Sequence, residues 1–234
     1  MTSTKEPKYA ESPAEKLAVA CIGIGKWLED HPKFAQSNST QHLRNRLSSG
    51  KSANTAQSET IFSKILEDIQ KIQLAFHEAG HAATFYFLNN EDEVWDIHIR
   101  FPKNFGRLNK VGEGISGGAY FTHRDGWPQS DEEIKANIVA TLAGSLFHPK
   151  IPGIEINHAA TQDDSTATEL AKRLQWSLGE AYNYSKKIID SGDLQKAVEE
   201  LALVVYRNIQ QDKLLTDVKT VEKTLAKYIQ RPAR

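Results

Sequence analysis

The chain of 234 residues contains a single cysteine, Cys21. One thiol cannot close an internal disulfide or build a cysteine-based zinc cluster, and such sparing use fits a reducing compartment. An excess of charge of one sign is also missing. Lys and Arg number 29 against 30 Asp and Glu, a formal net charge of −1. That balance gives no electrostatic argument for nucleic acid or an anionic membrane as the main partner. No run reaches the roughly 18–20 apolar residues that a bilayer span needs. The nearest, Leu17 to Gly25, is too short, and it follows Glu6, Glu11 and Glu15 instead of the basic segment that opens a signal peptide. It reads as a short helix that packs on something. A G-x-x-x-x-G-K-[ST] phosphate loop is absent from the sequence, as is any internal repeat. The expectation is a soluble, cytoplasmic chain with no transmembrane segment.

The sequence is organised around His77-Glu78-Ala79-Gly80-His81, an H-E-x-x-H pentad inside a helical pattern from Ile72 to Leu88. Residues four apart on an α-helix share a face one turn apart. His77 and His81 can therefore offer two imidazole nitrogens to one ion. Zn²⁺ accepts neutral imidazole and needs at least a third protein ligand, with a position left for water. Glu78 can reach that water as a general base. The surrounding Phe76, Ala79, Ala82, Ala83, Phe85 and Phe87 are apolar or small, so this helix should be buried. Two histidines and a glutamate are costly to bury without partners, and an ion is one such partner. Gly80 costs about 1 kcal/mol against alanine inside a helix, which implies close approach of another group.

His77-Glu78-Ala79-Gly80-His81-Ala82 resembles the H-E-A-G-H-A segment of the FtsH-type zinc peptidases, family M41. A second stretch, His158 to Ala171, is similar to that family's A-x-N-D-L-x-x-A-T-x-L-A, in which the aspartate is the third metal ligand. Aligning Ala167-Thr168 implies Asp163 for that role, with neighbouring Asp164 as the alternative. The pair also suits the start of a helix. His158 and His148 are rival ligands. Leu142 to Phe147 resembles the family's L-G-G-R-A-A-E, with His148 where the family has an acid. The resemblance covers about residues 72–230. It implies a zinc-dependent endopeptidase cutting peptides or unfolded segments without an ATPase of its own, with His77, His81 and Asp163 as ligands and Glu78 as base. A non-catalytic regulatory or binding module on the same scaffold is the other reading, and a homo-oligomer is open.

The rest of the chain supplies a frame. Ser12 and Pro13 suit a helix start, running to about Asp30, while residues 1–12 read as frayed. Residues 35–58 are rich in Ser, Asn, Gln and Thr and read as a mobile linker, with His42 solvated. Helical spacing resumes at Glu59, through Ile61, Ile65, Ile69 and Ile72, with a break open near Lys71, and Asn89-Asn90 stops it. Val94 to Phe101 alternates like a strand and Gly117 to Thr122 forms a second, joined through a turn at Asn104-Phe105-Gly106. Gly114, Gly117 and Gly118 would admit a substrate backbone. Ser130-x-x-Glu133 opens a helix to Leu146. Three more helices are expected, at about 164–190, 193–211 and 216–229. The fold class is therefore mainly α with a small β-sheet, a zincin-like M41 peptidase domain with its H-E-x-x-H helix and a C-terminal helical bundle. Residues 1–58 would form an N-terminal helix and linker, and 59–234 the peptidase domain.

Overall fold

In the computed structural model, the residues described are 12–50, 53–88, 94–101, 118–123, 130–152, 154 and 161–230. The expectations at residues 1–11, at the Asn89-Asn90 stop, at the Asn104-Phe105-Gly106 turn, at Gly114 and Gly117, and at His158 lie outside them. The described chain is mainly helical with a small antiparallel sheet. It divides into two compact units, residues 1–69 with 150–155, and residues 70–149 with 156–234.

In the first unit, α1 (Pro13–Asp30) begins at a capping box in which Ser12 and Glu15 satisfy each other's backbone N–H groups. One face of α1 buries Leu17, Ala20, Ile24, Trp27 and Leu28. The stretch expected to be a linker is instead largely folded. It forms α2 (Pro32–Gln36), a 3₁₀ turn (Asn38–Thr40) and α3 (Gln41–Gly50). Its few apolar residues suffice because all three are buried: Phe34 on α2, and Leu43 and Leu47 one turn apart on α3. Polar side chains finish the structure locally, with Thr40 Oγ1 donating to the Phe34 carbonyl and Arg44 to the Ala35 carbonyl and Thr40 Oγ1. Nor is His42 simply solvated, although part of its side chain reaches water. Its Nε2 lies 3.0 Å from Oδ1 of buried Asp68, whose other oxygen accepts from Arg46.

Helix α4 (Thr55–Leu88) is continuous, with no break at Lys71. Asn54 starts it, its side chain accepting from Gln57 N–H at 3.0 Å. Residues 70–88 of this helix belong to the second unit. There the sheet has the order β2-β1-β3, with β1 (Val94–Arg100) antiparallel to both β2 (Gly118–His123) and β3 (Leu215–Thr216). Ile99 pairs with Ala119 on one side and Thr216 on the other. The third strand is too short to show a two-residue alternation, so its sequence does not announce it.

Helix α5 (Asp131–Phe147) opens at the expected Ser130–Glu133 capping box. Ile134, Ile138 and Leu142 pack with Ala167, Leu170, Ala171 and Ala181 into one apolar cluster. The long helix expected over 164–190 is two, α6 (Thr161–Arg173) and α7 (Leu178–Ile189). The break is a Schellman ending. Trp176 N–H reaches the Ala171 carbonyl and Gln175 N–H the Lys172 carbonyl, with Gln175 at φ 58 where glycine is usual. A third capping box, Ser177 with Glu180, then restarts the chain as α7. Helices α8 (Gly192–Gln210) and α9 (Val218–Leu225) close the unit, and Asn208 Nδ2 donates to Thr216 Oγ1 of β3.

Candidate metal centre

His77 and His81 stand one turn apart on α4, as the helical repeat requires. Their rings meet edge to face, with centroids 4.6 Å apart, and their Nε2 atoms are 3.1 Å apart. Asp163, in the first turn of α6, brings Oδ2 to 3.1 Å from His77 Nε2 and 3.3 Å from His81 Nε2. Among the described residues these three form a cluster able to hold a metal ion. Asp164 is turned elsewhere: its Oδ1 accepts from Tyr182 OH at 2.8 Å. His148 sits at the C-terminal end of α5 and is not part of the cluster.

The donor set fits a zinc ion in chemistry and in spacing. Ligand bonds of about 2.0–2.1 Å in a tetrahedron put neighbouring ligand atoms roughly 3.3 Å apart, close to the distances found. His81 Nδ1 lies 2.8 Å from the Ala140 carbonyl oxygen on α5. A carbonyl can only accept, so Nδ1 carries the proton and Nε2 presents its lone pair to the cluster. Burial works against charge on His81, but the carboxylates of Asp163 and Glu78 outweigh it and raise its pKa. Burial likewise works against the Asp163 carboxylate, and the two imidazoles more than offset it, holding the acid well below its usual range.

Close helix contact makes this geometry. A Cβ built on Gly80 would lie 2.9 Å from the Ala143 carbonyl oxygen and 3.1 Å from Phe147 Cδ2, so a glycine is what lets α4 meet α5 this closely. One built on Gly144 would overlap His81 Nε2 and stand 2.7 Å from His77 Cε1. Glu78 is buried, at 3% exposure, and its Oε2 accepts from Ala119 N–H at 2.6 Å. Ala119 belongs to β2, the sheet's outer strand among the described residues. Ala140, Gly144, Ala119 and Tyr182 are the site's neighbours that sequence reading missed. Only Gly144, a glycine inside a helical run, carried a signal.

No protein-family model matches the chain. Its curated relatives include the ATP-dependent zinc metalloprotease FtsH of Pirellula staleyi, 27% identical over 116 residues, which is 50% of this chain and 15% of that protein. FtsH of Photobacterium profundum is 25% identical over 158 residues, 66% of this chain and 20% of its own length. FtsH 1 of Petrotoga mobilis is 31% identical over 119 residues, 50% of this chain and 16% of its own length. About half to two thirds of the chain is thus similar to FtsH zinc metalloproteases and forms an FtsH-like M41 peptidase region. It matches less than a quarter of the length of each of these relatives. Among the described residues, no helix is long and apolar enough to cross a membrane.

Proposed function

We propose that this chain is a zinc-dependent endopeptidase acting on peptides or unfolded protein segments. The observation that carries the reading is the convergence of His77 Nε2, His81 Nε2 and Asp163 Oδ2 within 3.1–3.3 Å, beside the buried carboxylate of Glu78. The peptidase domain is assigned to residues 59–234. Because the sequence has no phosphate-loop motif, cleavage by this chain is proposed to need no ATP.

In this reading His77, His81 and Asp163 hold the zinc ion. A zinc ion bound there supplies Lewis acidity, polarising a peptide carbonyl and easing deprotonation of water. Glu78 accepts the proton of the attacking water and later delivers it to the leaving amine. The Ala119 N–H aims the Glu78 carboxylate, and the Ala140 carbonyl holds the His81 tautomer. The outer edge of β2 offers an extended substrate backbone a strand to pair with.

Elemental analysis of the wild type and of Asp163→Ala, with cleavage of an unfolded casein-like substrate by the wild type and by Glu78→Gln, tests this. The reading expects about one zinc per chain, lost in Asp163→Ala. Glu78→Gln should retain zinc but lose about 10²–10⁴ in rate. Cleavage at an unchanged rate by Glu78→Gln overturns the catalytic assignment. A zinc-loaded wild type that cuts nothing makes the chain a binding module instead.

A further inference from the structure

Helix α1 keeps apolar side chains in water. Opposite its buried face, Glu15, Val19, Ile22, Lys26 and Glu29 are all exposed, with Ile22 at 74% and Val19 at 42%. These five positions are spaced four, three, four, three, the seam of a two-helix coiled coil. An apolar centre flanked by charge is what a small interface looks like before its partner arrives.

We propose that this face of α1 joins two copies of the chain, packed antiparallel about a two-fold axis. Charge identifies the occupant and the direction. With the axis level with the middle of Ala20-Cys21, Val19 faces Ile22 of the other copy and Ile22 faces its Val19. The same register sets Glu15 against Lys26 at both ends. A parallel pairing would instead stack Glu15 on Glu15 and Lys26 on Lys26, which repel. One patch used twice, complementary to itself, is the requirement of a two-fold interface. Glu15 Oε2 accepts from Ser12 N–H at 2.7 Å, which leaves its other oxygen for Lys26 of the second copy. Two apolar layers are few, so the dimer belongs at the weak end of specific interfaces, with a dissociation constant in roughly the 10–100 µM range.

Sedimentation equilibrium of the full chain, from low to several hundred micromolar, is the test. The wild type should pass from monomer to dimer. Ile22→Glu touches no core residue and should raise the dissociation constant at least about tenfold. Lys26→Glu should do the same, and Glu15→Lys with Lys26→Glu together should return it to within about threefold of wild type. Circular dichroism confirms that each variant is folded. A wild type monomeric at the highest concentration, or a dimer indifferent to Ile22→Glu, overturns the proposal. A double charge reversal no better than Lys26→Glu alone overturns the antiparallel register.

Discussion

Gly144 on α5 faces His81 on α4 with no room for a side chain. A methyl carbon there would overlap the His81 Nε2 and stand 2.7 Å from its Cε1. The ring is therefore held between Gly144 at one nitrogen and the Ala140 carbonyl at the other. Two residues one turn apart on α5 thus set the position and the tautomer of a histidine on another helix.

Gly144→Ala separates the metal centre from the fold. Alanine favours helix over glycine by about 1 kcal/mol, so the substitution gives back part of what the steric clash costs. The rings must nonetheless move by several tenths of an ångström or more. The expected outcome is a folded protein whose zinc affinity falls by about 10–100-fold. Competition against a chromophoric chelator measures it, with circular dichroism as the control for folding. Unchanged affinity would show that the rings tolerate displacement.

The adjacent acids on α6 should part company in the same way. Asp163 faces the imidazoles, whereas Asp164 accepts from Tyr182 OH and its carbonyl from Thr168 Oγ1 at 2.6 Å. Burial and the Asp164 carboxylate together push the Tyr182 phenol up to about 12, so at neutral pH it is a donor. Asp164→Ala should therefore keep its zinc and lose about 1–2 kcal/mol of stability with the hydrogen bond, while Asp163→Ala should lose the metal. Zinc content and denaturant midpoints for the two variants decide it. Metal loss in Asp164→Ala alone would reverse the assignment.

That division of labour was half legible in the sequence. The pentad brings two imidazoles to one face because a helix has only one repeat, and the cost of Gly80 points to a close helix contact. Which of Asp163 and Asp164 faces the histidines depends on the rotation of α6, which adjacent acids cannot report. Nothing in the sequence ties Tyr182 to Asp164, and its hydroxyl gains meaning only once α7 turns back. That turn was hidden because Gln175 occupies the left-handed position where glycine would have announced it. The Ser177-x-x-Glu180 box is the local sequence signal of the restart. Residues 32–50 hid their helices for another reason. Composition averages over faces, and three buried apolar anchors on two short helices suffice when polar side chains cap and bridge the rest.

Asp68 anchors the first unit through His42 and Arg46, although its own side chain is buried. Removing the acid leaves the partly exposed Arg46 guanidinium with the Lys64 carbonyl and takes one partner from the His42 imidazole. Asp68→Ala should cost about 2–4 kcal/mol, toward the lower end of values for buried pairs because both partners reach solvent. His42→Ala should cost about 1 kcal/mol. Chemical denaturation of the two variants supplies the comparison, and equal losses would mean that Arg46 contributes little.

Two glycines of α1 provide a matched pair. A Cβ on Gly23 would overlap the Pro152 carbonyl oxygen and lie 2.9 Å from its carbon, whereas nothing stands within 4 Å of one on Gly25. Both occupy the same helix, so the propensity gain of about 1 kcal/mol from alanine is common to them. Gly25→Ala should realise most of that gain. Gly23→Ala should spend it against backbone that cannot rotate aside, for a net loss of about 1–3 kcal/mol. Thermal melts of the two proteins should move in opposite directions. Two stabilised variants would show that the segment around Pro152 shifts freely, and that Gly23 is not required for close packing.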